Sequence, residues 1–334
     1  MGSPTAAGAG APGEEEKPLQ RPGKTADTAG ESLRSRSTTR AERETSAVAE
    51  TNRPLRLSVV MPIYNEIATI RDILTLVEAQ PQVGEIILVD DGSTDGTRDV
   101  LLEYAERSQI RVIMKEKNEG KGAALRDGIA AAECDIVLIQ DADLEYDPGD
   151  YAALVEPIEA GLADVVYGSR FQFGPRRVLN YRHGLGNRFL TALSNWTTGL
   201  GLTDMETCYK AFRREVIQNI VLHSRRFGFE PEITARIAQV GCTVHEVPIS
   251  YYGRWYEEGK KITWRDGVAA IWHIVRSSYL EKPKFRDEEA LRAVLTQETK
   301  LGQRLKRLHA QEVINKAWEA TEENNSSTSI AYAE

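Results

Sequence analysis

The chain has 334 residues, 41% of them hydrophobic, and a formal net charge of -8. That is enough apolar material for one large domain or two modest ones, and the acidic balance argues against a general nucleic-acid binder, whose affinity comes from clustered Lys and Arg facing phosphates. Cys134, Cys208 and Cys242 lie far apart without a CxxC pair, so neither a disulfide framework nor a zinc site is indicated, and a reducing compartment fits.

Residues 1–54 are rich in Gly, Pro, Ser, Thr, Arg and Glu with scarcely a large apolar residue. They cannot bury enough surface to offset ordering entropy, and we expect a disordered leader. No apolar core of a secretory signal is present there, and nowhere do about 18 apolar residues run together, so the chain is not expected to span a membrane by itself.

Order is expected from LSVVM (57–61), a buried strand ended by Pro62, with a helix over 66–80. EIILVD (85–90) is the next strand, followed by the turn DGSTDGT (92–97) and a helix over 97–107. IRVIM (110–114), a Gly-opened helix over 118–132, DIVLI (135–139) and ADVVYGSR (163–170) continue the rhythm. Short apolar strands alternating with helices imply an α/β domain with a mainly parallel, open, doubly wound sheet covered on both faces. Beyond 170 we expect a helix over 186–199, a polar turn TDMETCYKAF (203–212), a helix over 230–240 and an isolated strand CTVHEVPIS (242–250). In 264–280, Val268, Ile271, Trp272, Val275 and Tyr279 form an apolar stripe that either packs on the core or lies on a bilayer, with Trp264, Trp272 and Tyr279 at headgroup level. The main domain is placed at 55–283. A polar helical extension, with a loose helix over 286–319, and a disordered tail occupy 284–334.

Ligands of open α/β sheets bind beyond the carboxyl ends of the strands. PIYNE, DDGS, DADLE and GSR each directly follow an apolar strand. Asp141 and Asp143, two apart at a strand end, suit the hard oxygen preference of Mg2+ or Mn2+, with Glu145 as a third ligand. A lone DxD is equally an ordinary acidic strand end. Asp90 and Asp91 suit a nucleobase or ribose hydroxyl, or a helix cap by Asp91 or Ser93; Tyr64 and Glu66 suit the same ligand, or a turn in which Asn65 caps a helix.

Taken together, PIYNE, VDDGSTDGT, NEGKG, DADLE, GSR and TDMETCYKAF, in this order and spacing, resemble the family 2 glycosyltransferases of GT-A fold. The similarity spans about 55–280 and is greatest to the polyprenyl-phosphate branch, which includes dolichol-phosphate mannose synthases. The resemblance implies that Pro62, Tyr64, Glu66, Val89 and Asp91 line a nucleoside pocket, that Asp141 and Asp143 bind the metal with the donor diphosphate, and that Ala142 touches the nucleotide. Microbial relatives often carry Gln where this chain has Glu145, a departure that bears on the choice of metal. Arg170, Arg254 and Lys260 match the family's phosphate-handling cations, and Arg182 and His183 lie where relatives hold the acceptor phosphate. Arg170 also suits a structural pair with a strand-end Asp. Asp204 matches an acidic position near the sugar, where it orients the sugar or the acceptor-binding Arg.

The activity implied is inverting transfer of a hexose from a nucleotide sugar of the GDP-mannose or UDP-glucose type to a polyprenyl or dolichyl phosphate. It would take place at the cytoplasmic membrane face, through peripheral attachment or a membrane-protein partner. A phosphate monoester is largely dianionic at neutral pH and requires no base. A soluble saccharide or protein acceptor would instead require one, such as Asp204 or Glu232. A catalytically silent binding protein is the alternative of another class.

Overall fold

The computed structural model describes residues 55–172, 181–226, 228–253 and 264–295. Its elements are β1 (Leu57–Ile63), α1 (Ile70–Glu78), β2 (Val83–Asp90), α2 (Thr97–Tyr104), β3 (Ile110–Met114), α3 (Lys121–Ala131), β4 (Ile136–Ile139), α4 (Tyr151–Glu159) and β5 (Val165–Ser169), followed by α5 (Tyr181–Thr198), β6 (Lys210–Arg213), α6 (Arg214–Asn219), α7 (Phe229–Val240), β7 (Val244–Pro248) and α8 (Trp264–Val275). A π-helical turn, Arg276–Leu280, extends α8, and residues 288–295 are helical.

The strands form one sheet in the order β3-β2-β1-β4-β6-β5-β7. β1 pairs in parallel with both β2 and β4, which makes the sheet change direction of growth at the β1/β4 boundary. β6 runs antiparallel to β4 and β5, and β7 is parallel to β5. Two expectations are corrected here. The polar turn at 203–212 ends in the central strand β6, and the strand expected to be isolated pairs along its length with β5.

β1, β2 and β4 are buried on both faces, so their apolar residues run without alternation. Full burial of each such Val, Leu or Ile contributes about 1.5–3 kcal/mol. α3 lies close over β1 and β2 because Gly128 faces them; a Cβ there would collide with Val60 Cγ1 and crowd Val89 Cγ2 at 3.1 Å. Val89 is therefore a core residue under α3, not part of a ligand pocket as expected.

α8 packs on α5 and α7. Its inward face is Ala270 and Ile274, continued by Ser277. Of the two readings of the apolar stripe, the structure is against core packing for most of it, because it turns outward: Val268 is 57%, Trp272 56% and Tyr279 60% exposed. The side chain of Trp264 is outside the described residues.

Candidate active site

The loops after β1, β2 and β4 are tied to one another by short-range polar bonds, which is why their motifs share one place. Asn65 sits at φ 54, a left-handed conformation Asn tolerates. Its backbone N–H donates to Ser93 Oγ (2.9 Å) while its Oδ1 accepts from Thr94 N–H (2.8 Å). Glu66 N–H donates to Thr97 Oγ1 at 3.0 Å, and Thr69 Oγ1–H to the Ala142 carbonyl at 2.7 Å. Asn65 thus locks two loops together; it does not cap a helix. Neither Asp91 nor Ser93 caps α2: its N-cap is Gly96, without a side-chain cap, and Asp95 Oδ1 accepts from Thr97 N–H at 3.0 Å.

Asp90 closes its own turn by accepting from Gly92 and Ser93 N–H. Asp91, 2% exposed, accepts from Glu119 N–H (3.0 Å) and Gly120 N–H (2.7 Å). It therefore fixes the entry to α3. Gly120 is required there by a φ of 97 and by the close approach of the Arg225 carbonyl. Immediately after it, Lys121 points back across the site. Its Nζ lies 2.9 Å from Asp141 Oδ1 and 3.4 Å from Glu230 Oε1. Burial pushes the Lys121 ammonium toward neutrality, but the surrounding charges, that of Asp141 foremost and that of Glu230 among them, together with the Asp141 bond outweigh it and raise its pKa well above the ordinary value.

After Asp141 the chain turns sharply, with Leu144 at φ 60. Asp143 Oδ1 accepts from Glu145 N–H at 3.2 Å, and Glu145 Oε2 accepts from the Tyr251 hydroxyl at 2.6 Å. Among the described residues no group of three or more His, Cys, Asp or Glu side chains is arranged to hold a metal ion by itself. The expected triad of Asp141, Asp143 and Glu145 is thus not assembled, and Glu145 is instead tethered to Tyr251.

A cavity of about 540 Å3 opens at this sheet edge, within the range of small-molecule sites. Pro62, Tyr64, Glu66, Asp91, Asp141, Ala142, Asp143, Glu145 and Arg170 all line it. Of the expected set with described side chains, Val89 and Asp204 do not. Asp204 lies beneath Arg170, fully buried, and accepts from Arg170 Nε (2.6 Å), Arg170 Nη2 (2.8 Å) and Asn187 Nδ2 (3.1 Å). Burial alone would raise the Asp204 carboxyl, but the Arg170 charge and these bonds hold it below the usual carboxylate range. Asp204 is a positioning residue for Arg170 and a poor base. Glu232 is no better placed: 1% exposed, it accepts from His223 and Ser224 N–H and faces Arg236 at 3.8 Å, away from the cavity lining. Arg182 and His183 fall in the first turn of α5, but their side chains are outside the described residues, as are Arg254 and Lys260 entirely. Tyr251 and Tyr252, bonded to Glu145, lead into that segment.

Lys121, Glu206, Glu230, Tyr146 and Tyr251 also line the cavity and were not singled out by the sequence. NEGKG did carry the lysine, and Glu206 lies within TDMET. Glu230 gives no local signal, since it opens α7 among apolar neighbours. Glu206 Oε1 and Glu230 Oε2 are buried with no hydrogen-bond partner among the described residues, each a cost of about 1–3 kcal/mol or more. Burial first, and then the Glu230 charge, raises Glu206 to about 8.

Comparison with known proteins agrees with this geometry. Residues 58–221 match the model of glycosyl transferase family 2. The polyprenol monophosphomannose synthase of Mycolicibacterium smegmatis is 33% identical over 60% of this chain and 78% of its own length. The undecaprenyl-phosphate mannosyltransferase of Micrococcus luteus is 29% identical over 67% of this chain and 98% of its own. The glucosyl-3-phosphoglycerate synthase of Mycobacterium tuberculosis, solved with Mn2+ and UDP-glucose, superposes with a TM-score of 0.55 over 70% of this chain and 82% of its own at 21% identity, a likeness of fold. Sheet order, strand-end motifs and these relatives agree: the chain belongs to glycosyl transferase family 2 and is a glycosyltransferase of GT-A fold.

Proposed function

We propose that the enzyme transfers a hexose from a nucleotide sugar to a polyprenyl phosphate with inversion, so that an α-linked donor gives a β-linked lipid product. The observation that carries this reading is the single cavity lined by residues from PIYNE, DDGS, NEGKG, DADLE and GSR, together with relatives named for polyprenyl-phosphate substrates. Pro62, Tyr64, Glu66 and Asp91 would hold the nucleoside, and Ala142 would touch it.

Asp141 and Asp143 would hold Mg2+ or Mn2+. Their hard oxygens at the cavity wall fit an ion that completes its shell with water and donor phosphates, and a set of two acids matches that mode better than a closed cage. Lys121, now on Asp141, would yield that carboxylate to the ion. Bound there, the metal would offset the charge gathering on the departing nucleoside diphosphate. Arg170 faces the cavity in a fork fixed by Asp204 and is suited to a phosphate; Arg182, His183, Arg254 and Lys260 are assigned the remaining phosphate charge.

Neither acid considered as a base, Asp204 or Glu232, is free to act as one, which supports an acceptor that is already anionic. Asp204 and Glu232 are both committed to buried bonds, and a phosphate monoester needs no deprotonation. A lipid acceptor requires a membrane surface. Among the described residues no helix is long and apolar enough to cross a bilayer. Leu185, Phe189 and Trp196 on α5 and Val268, Ile271 and Trp272 on α8 are exposed on two packed helices, which supports peripheral contact with a bilayer. The test is transfer by the purified chain with Mn2+ or Mg2+, UDP-glucose or GDP-mannose, and a short polyprenyl phosphate, read by mass spectrometry of the lipid. A glycosylated lipid phosphate is expected; transfer to a soluble saccharide but never to lipid phosphate would sink the proposal.

A further inference from the structure

Beside the aspartates assigned to the donor diphosphate lies a second acidic pair that the chemistry above does not use. Glu230 is 5% exposed and Glu206 is partly buried, and both line the same cavity as Asp141. Glu230 Oε1 is 3.4 Å from Lys121 Nζ, and the same ammonium is 2.9 Å from Asp141 Oδ1. Glu230 is thus one ammonium away from the carboxylate assigned to the diphosphate, in the cavity that would have to hold the donor's sugar as well. Glu230 Oε2 and Glu206 Oε1 have no partner among the described residues. A native site leaves buried carboxylate oxygens unpaired at a cost, which a ligand bearing hydrogen-bond donors removes.

The surroundings decide what kind of ligand that is. Lys121 adjoins Glu230, and the charges of Lys210 and Arg170 act on Glu206. A further cation would meet positive charge already in place, and a phosphate would meet two carboxyl groups. Burial, reinforced by Glu230, keeps Glu206 protonated near neutral pH, which makes it a donor as well as an acceptor. A neutral polyol matches this set because each hydroxyl both donates and accepts. Lys210 is itself fully buried, donating to the Thr207 carbonyl and lying 4.9 Å from the Tyr167 ring, so the base of the pair is rigidly built.

We propose that Glu206 and Glu230 bind hydroxyls of the transferred hexose and select which hexose the enzyme accepts. This rests on the donor reading above and names the part of the site that reads the sugar. A site built to bond a hydroxyl discriminates strongly against a ligand that lacks it, because its own polar groups are then left unpaired.

Calorimetric titration of the full chain with Mn2+ tests it, using UDP, UDP-glucose, GDP and GDP-mannose as probes against the wild type, Glu206→Gln, Glu230→Gln and Glu230→Asp. The quantity read is the ratio of affinities for a nucleotide sugar and its own nucleoside diphosphate. Each Gln variant is expected to keep diphosphate affinity within about twofold while the ratio falls about tenfold, roughly one well-formed bond; Glu230→Asp should fall between. Diphosphate binding shows that a variant is folded. An unchanged ratio in both Gln variants overturns the inference, whether the two affinities are retained or fall together. A wild type that binds none of the four probes overturns the donor reading itself, a result distinct from any behaviour of the variants.

Discussion

β1, β2 and β4 carry apolar runs and leave their acids at the carboxyl ends, where the cavity opens. β6 and α7 behave differently: Lys210, Glu230, Glu232 and Arg236 are carried into the interior. In the first region, charge belongs to ligand chemistry and apolar residues to stability, so a substitution should affect one or the other. In the second, Glu230 faces the site from the same helix on which Glu232 and Arg236 hold the fold together, so the two effects are mixed.

The largest effect is expected in the first region. Asp141→Asn removes a cavity carboxylate that bonds to Lys121, and transfer should fall by about 10²–10³-fold while the melting temperature stays near that of the wild type. A substantial fall in melting temperature would show that the separation of roles fails even there. The second region should give the opposite pattern with Glu232→Ala. That change leaves His223 and Ser224 N–H without their acceptor and Arg236 without one of its charges, at a cost of about 3–5 kcal/mol in denaturant unfolding. Burial alone would raise the Glu232 carboxyl, but the Ser224 and His223 bonds and the Arg236 charge hold it below its ordinary range. Its contribution is therefore complete above the unfolded carboxyl value of about 4.3 and is lost as pH falls through the lower folded value. The variant should show less acid-induced loss of stability than the wild type; equal loss would detach Glu232 from acid unfolding.

The same contrast explains how far the sequence could be read. β3 lies where its apolar run places it, and the strand-end motifs reach the cavity because short loops leave them no other place. α1 begins at Ile70 and not near 66, because residues 63–69 are committed to the DGSTDGT turn through Asn65, Glu66 and Ile67. β6 was hidden by composition: KAFR starts with Lys and ends with Arg, and Lys210 is tolerated only because a carbonyl and an aromatic ring receive its ammonium in three dimensions. The α8 stripe was visible as a periodicity, but periodicity marks an apolar face without marking its partner, and here the small residues face inward. Glu230 carried no local signal, and TDMET carried Glu206 without its partner, because their proximity is a long-range product of the loop before β6 meeting α7.

Glu206 offers the smallest expected effect and the most direct view of mixed roles. Its folded value, raised to about 8 by burial and by Glu230, lies above the unfolded value of about 4.3. Between these two the folded chain holds a proton that the unfolded chain has released, so this group's contribution to stability declines as pH rises from about 4.3 and levels off above about 8. Glu206→Gln matches the protonated acid in charge and size, replaces its hydroxyl, which both donates and accepts, with an amide NH2 that only donates, and does not titrate. The variant should match the wild type at pH 5 and exceed it progressively toward pH 8, by about 2–4 °C in melting temperature for each kcal/mol recovered. A difference that stays constant from pH 5 to 8 would mean that Glu206 is ionised throughout. The stability gained in the variant at pH 8 would come with weaker hexose selection, which is the expected mark of a residue that serves the ligand at the expense of the fold.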